Sequence, residues 1–378
     1  MLSFWEKKEL IKADYIIVGG GLVGLTAACR LKEMRPSGRV VVLERGILPS
    51  GASSKNAGFA CFGSISELLA DWQTMGKERA LSLVQKRWRG LQVLQARLGA
   101  VKMGLKNYGG YELLRQEELH YLDKIEEVNL WLKPLFKKTV VYNNSEELAR
   151  FGFAQSTVKG LVFNPYEGQI DTGLMMKNLA QYVQAKGVEI YTGSKVLAAE
   201  PSEKGYIIQV ENSIGENSIA FEARGVGVCT NAFAKTLLPE LKLQPGRGQV
   251  LVTEPIADLP WRGTFHMDEG YYYFRNFNKQ VIFGGGRNLD FKGETTTDLA
   301  LNNSIQEHLV KLLKEVILPK HQFKVAHRWS GVMAFGETKE PIVEKLPNGI
   351  AVGVRLGGMG VALGSQVGEQ VAELLLAQ

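Results

Sequence analysis

Gly19, Gly21 and Gly24 form a G-x-G-x-x-G run, and Glu44 lies twenty residues beyond the last of them. Glycines at this spacing suit a bound nucleotide diphosphate. Gly19 permits a tight turn, Gly21 lets the backbone approach a pyrophosphate at a helix N-terminus, and Gly24 lets helix and strand pack closely. A carboxylate at position 44 can accept both hydroxyls of an adenosine ribose and would repel a 2′-phosphate, so NADP is disfavoured. The motif by itself leaves NAD and FAD open. Other chemistry-bearing patterns are missing. There is no G-x-S-x-G elbow and no Walker A loop, which argues against hydrolases and NTPases. His266, His308, His321 and His327 lack metal-ligand spacing, His120 sits in a charged helical stretch, and no metal site is expected. Cys29, Cys61 and Cys229 are an odd number, far apart and without C-x-x-C. Neither a disulfide framework nor a zinc site is expected, and the expected location is the cytoplasm.

The surrounding pattern supplies the elements that the motif needs. Residues 14–19 read as a strand, 22–34 as a helix and 40–44 (VVVLE) as a second strand, a βαβ unit that implies a parallel sheet. A Gly/Ser/Asn loop follows at 50–63. Helical spacing then runs from 64 to 98 through Leu68, Leu69, Trp72, Leu81, Val84, Trp88, Leu91, Leu94 and Leu98. Residues 110–139 read as a strand and then a helix ending near Pro134. An Asp/Thr cap starts a helix at 171–186, a strand follows at 188–191, and 225–229 reads as a short apolar strand. After Pro245, strands at 249–253, 270–275, 280–284 and 323–331, with a helix at 299–316, describe a β-rich part. A strand at 350–354, a glycine turn at 357–360 and a helix at 361–377 return to the first style.

The chain has 378 residues, 45% of them hydrophobic, which suits a large core and two domains rather than one. With 22% charged residues, 42 Gly and 12 Pro, it is neither broadly disordered nor fibrous. Its apolar runs fall far short of a bilayer's thickness, which excludes a transmembrane protein, and the run from Tyr15 leads into glycines as a buried strand does, unlike a signal peptide. The net charge of +6 is spread along the chain. Its densest basic stretches, 77–97 and 133–138, interleave with apolar residues at helical spacing and read as solvated helix faces. No nucleic-acid partner and no membrane association are expected, and the oligomeric state stays open.

Several further segments resemble the glycine oxidase/D-amino-acid oxidase (DAO) superfamily of FAD-dependent amine oxidoreductases, which includes sarcosine oxidase and γ-glutamylputrescine oxidoreductase. Glu44-Arg45 followed by GASSKNAGF is similar to that family's flavin loop, with Ala52, Ser53, Asn56, Ala57 and Gly58 at its positions. The stretch 164–196 resembles the segment returning to the first domain, where Val196 would touch the adenine side, and VCTNAFA resembles the family strand at Thr230 and Asn231. Residues 247–255, 271–287 and 328–346 resemble the substrate domain and its exit, and 354–375 resembles the C-terminal flavin-capping motif. The resemblance implies a fold of α/β class: a Rossmann-like FAD-binding domain from 1–92, 158–235 and 334–378, and an inserted α+β substrate domain with an antiparallel sheet from 93–157 and 236–333. It implies FAD held by Gly19, Gly21, Leu22, Val23, Gly24, Glu44, Arg45, the loop residues named above, Val196, Thr230 and the run Gly357, Gly358, Met359, Gly360 and Val361. The second glycine turn would place backbone N–H groups and a helix N-terminus near the flavin's pyrimidine edge.

The chain also departs from the family pattern. Covalent flavin attachment in some members uses a His in the early loop or a Cys near the C-terminal section; this loop has Lys55-Asn56 and no His, so noncovalent FAD is expected. Amino-acid oxidases of the family hold the substrate carboxylate with an Arg after W-x-G, and here that position is Met333, which makes an amine or a modified substrate the expectation. Arg328 and Arg355 are the neighbouring candidates for a carboxylate, and Tyr271 and Tyr273, on one side of a strand with Tyr272 on the other, are candidates for an aromatic wall around an amine. The Lys that sarcosine-type oxidases place near the flavin corresponds to Ile282, so oxidase and dehydrogenase stay open. No catalytic side chain is assigned, because the flavin carries the chemistry. The expected reaction is oxidation of a C–N bond of a small amine or amino-acid-like substrate to an imine by hydride transfer to flavin N5, with oxygen or another acceptor taking the electrons. The alternatives are a flavin dehydrogenase for a 2-hydroxy acid or polyol, quinone-linked in one version, and a flavin-binding sensor without turnover.

Overall fold

Val40–Leu43 is buried on both faces, the signature of a strand in the middle of a parallel sheet covered by helices on at least one side. In the computed structural model, which describes residues 2–212 and 217–377, this strand lies between Lys12–Val18 and Glu189–Tyr191, parallel to both. The sheet continues through Ser218–Val228, parallel to Lys12–Val18, then Ala351–Val354 and the antiparallel Ile342–Lys345. The hairpin of Val196–Ser202 and Gly205–Glu211 adds to the Ser218–Val228 strand and completes eight strands.

Side chains alternate across this sheet as a period of two requires. Ile17 enters the core shared with the helices Leu22–Met34, Lys77–Met103, Thr172–Ala185 and Gly360–Leu376, while Ile16 and Val18 enter the core on the opposite face. Asp171 caps the Thr172–Ala185 helix by accepting from the Leu174 N–H at 2.9 Å.

The second sheet also has eight strands, in the order Val325–Phe335, Gln244–Thr253, Gln280–Gly285, Tyr272–Phe277, Thr264–Met267, Gly110–Leu114, Gly160–Asn164 and Tyr142–Asn143. All pairs are antiparallel except Thr264–Met267 with Gly110–Leu114. One face packs Leu251, Phe265, Phe274 and Phe283 under the helix Asn303–Leu312, and the other looks toward the first sheet. The α/β class with one mainly parallel and one mainly antiparallel sheet is the one the sequence leads to.

The differences have local causes. The helical stretch from 64 onward is split into Ile65–Met75 and Lys77–Met103, because Gly76 between them adopts φ 83°, and the second segment is kinked again at Gly99, whose φ is 73°. The helix expected at 299–316 starts at Asn303, where the Asn302 side chain accepts from the Ile305 N–H, and its last turn, Leu313–Ile317, is a π-turn. The strand expected at 249–253 begins at Gln244. Pro245, which has no N–H to donate, pairs there only with Ala334 on one side, an edge position that tolerates it. The apolar strand at 225–229 extends back to Ser218, and the hairpin beside it is absent from the sequence reading. Gly160–Asn164 pairs within the second sheet, so the chain crosses to the first sheet after it rather than at 158.

Arg87 and Asp71, both 2% exposed, join the two helices through an ion pair at 3.0 Å, and Lys339 reaches the other carboxylate oxygen at 2.6 Å.

Candidate functional site

The strand Lys12–Val18 stops at Gly19, whose φ of 108° is open to glycine and strained for other residues, and the helix starts at Leu22. A side chain at Gly24 would drive its Cβ into the Gly19 carbonyl oxygen, so the turn closes only with glycine there. Gly21 is the N-cap residue and offers no side-chain cap, and no acidic residue sits in the first turn. The helix end therefore presents backbone donors and positive dipole to the space in front of it, apart from the Leu22 N–H, which donates to Ser53 Oγ at 2.9 Å. Glu44, 8% exposed, follows the next strand, which ends at Leu43. Its carboxylate accepts from Gly20 N–H at 2.8 Å and Gly46 N–H at 2.9 Å. These bonds fix its orientation and leave acceptor capacity on each oxygen. The Arg45 guanidinium stacks on the Phe233 ring at 3.7 Å.

The loop through Ala52, Ser53, Asn56, Ala57 and Gly58 is fastened from several directions. Asn56 Nδ2 donates to the Ala52 and Ser53 carbonyls, while its Oδ1 accepts from Gly58 N–H and the Thr172 hydroxyl. Two groups on the second sheet hold the same loop: Arg275 donates to the Ala57 and Ile170 carbonyls, and Trp329 Nε1 donates to the Lys55 carbonyl at 2.9 Å. Burial pulls the Arg275 guanidinium down to about 10. The loop is thus a joint between the two sheets.

Between the sheets lies a cavity of about 1060 Å³, at the upper end of ordinary ligand sites. It is lined by Gly19, Gly21, Leu22, Val23, Glu44, Arg45, Ala52, Ser53, Asn56, Ala57, Gly58, Val196, Thr230 and the run Gly357–Val361. The structure thereby gathers on one cavity nearly every residue expected around a flavin; Gly24 stands behind it as a packing residue. The helix Gly360–Leu376 resembles the first: no side-chain cap and no acidic residue in its first turn. Gly357 and Gly358, at φ 55° and 83°, turn the chain into it.

The second sheet forms the opposite wall. Met333, Tyr271 and Tyr273 line it; Tyr273 is half-buried, its phenol pushed up to about 12 by burial, and Tyr271, 41% exposed, sits in the turn before the strand, which starts at Tyr272 and not at 270. Tyr272 points into the apolar core on the far face. Arg328 and Arg355 do not line the cavity. Arg328 donates to Gln306 Oε1 at 2.7 Å, and Arg355 donates to the Glu340 and Lys242 carbonyls and to Thr338. Both guanidinium groups are committed to holding backbone and neighbouring side chains, which corrects their expected place beside a substrate.

Sequence reasoning passed over Arg287. It lines the cavity with its guanidinium stacked over Phe335 at 4.2 Å and near Phe291 at 5.1 Å. It pairs with no carboxylate among the described residues, its buried Nε has no hydrogen-bond partner, and burial lowers its pKa. No local pattern marks it, because its stacking partners lie four and 48 residues away.

A second group was also invisible. Cys61, Glu67 and His266 line the cavity, with Glu167 and Glu112 buried close by. His266 faces Glu67 Oε2 through Nδ1 at 3.7 Å and Glu167 Oε2 through Nε2 at 3.6 Å. Burial alone would lower the imidazole's pKa, but Cys61, Glu167 and Glu67 outweigh it and raise it well above the ordinary value. The Cys61 thiol is pushed up to about 11 and Cys229 to about 12, both chiefly by burial, so both stay protonated at neutral pH.

The residues present fit FAD. A pyrophosphate needs donors without side chains in the way, and the uncapped Gly21 end of the first helix supplies them. Thr230 Oγ1 is buried on the cavity without a hydrogen-bond partner, a polar group that calls for one from outside the chain. The comparisons agree. A family model described as FAD dependent oxidoreductase (DAO) matches residues 14–374. The chain is 25% identical over 396 residues to a probable oxidoreductase OrdL of Rhizobium meliloti (strain 1021), covering 97% of this chain and 84% of the relative. It is 23% identical over 380 residues to gamma-glutamylputrescine oxidoreductase of Escherichia coli (strain K12), again covering 97% and 84%. In fold it is similar to the crystal structure of glycine oxidase from Geobacillus kaustophilus, with a TM-score of 0.76 at 20% identity over 97% of this chain and 95% of that one.

Proposed function

The chain belongs to the DAO family of FAD-dependent oxidoreductases, and from that premise we propose that it oxidises a C–N bond of a small amine or amino-acid-like substrate to an imine, with bound FAD supplying the hydride acceptor. The observation that carries this reading is the continuity of one cavity from the Gly19 turn to Met333, Tyr273 and Arg287 on the second sheet. A cofactor held at one end and a small molecule at the other would meet inside it.

Gly19, Gly21, Leu22 and Val23 would hold the pyrophosphate, Glu44 the ribose, Arg45 and Val196 the adenine side, and Ala52, Ser53, Asn56, Ala57, Gly58 and Thr230 the remainder toward the ring. The run Gly357–Val361 would face the reacting end. Noncovalent binding is supported by the absence of a His in the loop 50–63 and by the protonated state of Cys61 and Cys229, since a thiol couples to carbon as its thiolate. Three buried free cysteines accord with a cytoplasmic location, and no helix among the described residues is long and apolar enough to cross a membrane.

The side chains Phe59, Tyr273, Met333 and Phe335 present a largely apolar surface on the wall opposite the first sheet, which a substrate seated on it would desolvate. Desolvation there lowers the pKa of an amine and favours the neutral form that gives up hydride. Arg287, already against two rings and without a carboxylate partner among the described residues, is positioned to take a substrate carboxylate, the role that Met333 vacates. A guanidinium already held against two rings loses little freedom when it does so.

The test is spectroscopic. The purified protein should show an oxidised-flavin spectrum that passes into the supernatant on acid precipitation, and should bleach anaerobically with small amines but not with lactate or glycerol. Bleaching by lactate alone would transfer the enzyme to C–O chemistry. No bleaching by either would leave a flavin-binding module.

A further inference from the structure

Phe59 stands edge-on to two rings at once, Tyr273 at 5.7 Å and His266 at 5.3 Å. It therefore divides the apolar wall of the cavity from a pocket of charge. On the far side Glu67 and Glu167 share a single imidazole. Among the described residues no Lys or Arg pairs with either carboxylate. Even with His266 protonated, two carboxylates against one cation leave this end of the cavity negative. The hydrogen-bonding is unfinished as well: His266 Nε2 and Glu167 Oε1 are buried without a partner, in side chains 5% and 2% exposed. Glu269, next to the Gly270 that packs on Glu67, lines the cavity as well and adds a third carboxylate to the cluster. A buried charge without a counter-charge is costly, and sites that keep one are sites where a ligand brings the other.

We propose that Glu67, His266 and Glu167, with Glu269 at the rim, form a subsite for a second cationic group, so that the substrate oxidised at one amine carries another ammonium beyond Phe59. The inference rests on the C–N reading above and narrows it to diamine-type substrates. Glu67 is the direct partner, because it reaches the lining, while Glu167 lies behind the imidazole and contributes charge. An organic ammonium fits better than a metal ion, although Cys61, Glu167 and His266 bring three ligand-type atoms within 4.8 Å of one another. Both imidazole nitrogens face carboxylates at ion-pair distance, so the protonated ring has no lone pair for a metal, and the Cys61 thiol stays protonated.

The dithionite-reduced holoprotein, in which no turnover intervenes, is titrated calorimetrically with 1,4-diaminobutane and with butylamine. The wild type should bind the diamine at least about tenfold more tightly. The ratio should fall to within about threefold in Glu67→Gln and narrow in Glu269→Gln. If Glu67→Gln does not fold, the wild-type ratio and Glu269→Gln still decide. Equal affinities in the wild type, a ratio undiminished in the variants, or one tightly bound divalent metal per chain in the purified holoprotein each overturns the subsite. The oxidised holoprotein is mixed anaerobically with 1,4-diaminobutane in parallel. A flavin that stays oxidised while the binding ratio persists defeats the C–N reading and spares the subsite.

Discussion

Glu112, on the strand Gly110–Leu114, is 2% exposed and lies beside the charge cluster. Its carboxylate accepts from the Ser66 N–H at 3.2 Å and from the Ser66 hydroxyl. Burial raises its pKa from the usual 4.5 to about 7, against the pull of those hydrogen bonds. Between these values the folded protein binds more protons than the unfolded chain, so stability must fall as pH rises. The favourable contribution of the neutral carboxyl is complete below 4.5 and is lost as pH passes through 7. At about 1.4 kcal/mol for each pKa unit, the full loss is about 3 kcal/mol. Glu112→Gln mimics the neutral acid at every pH, and the Ser66 hydroxyl can turn from donor to acceptor to suit it. Urea unfolding of the holoprotein between pH 5 and pH 8, with free FAD held constant because bound ligand adds its own stability, isolates the effect. The variant should exceed the wild type by under about 1 kcal/mol at pH 5 and by about 3 kcal/mol at pH 8. Parallel curves for the two proteins, or a variant weaker at pH 8, would refute the argument.

Two further substitutions probe the cofactor end and the frame. Glu44→Ala leaves the Gly20 and Gly46 N–H groups without their acceptor, at about 1–3 kcal/mol each, and should weaken FAD binding to the apoprotein at least about tenfold. Flavin fluorescence titration checks this, and an unchanged Kd counts against the assigned role. Arg87→Met leaves Asp71 buried with Lys339 alone and should cost about 3–5 kcal/mol in urea unfolding, much of it regained in Asp71→Leu/Arg87→Met. A single-variant loss under about 1 kcal/mol would show that Lys339 suffices.

The legible parts of this molecule are those whose determinants sit close together in the chain. The Leu22–Met34 helix has the bounds its periodicity gives, because its start is a glycine turn and its apolar face repeats every three or four residues. The expected FAD residues sit together on the cavity because the glycine turns place them there by backbone geometry, which a run of glycines announces. The hairpin Val196–Ser202 with Gly205–Glu211 has no counterpart in the sequence expectations, although YIIQV is rich in β-branched and aromatic residues.

The charge cluster shows why the rest was not legible. Its members, Cys61, Glu67, Glu112, Glu167 and His266, come from a loop, a helix N-terminus, a strand, the turn after Gly160–Asn164 and the strand paired with that of Glu112. Each has an ordinary local explanation: Glu67 completes the capping box of Ile65–Met75 with Ser64, and Glu112 and His266 are polar positions in otherwise apolar strands. What makes them unusual is the register that aligns His266 with Glu112 across paired strands, and the close approach of Glu167, whose carboxylate occupies the space a side chain at Gly110 would fill. A polar residue buried in a strand is thus the usable signal: it must find a partner across the sheet. Here the partners are other acids, so the balance of charge is left for a ligand to complete.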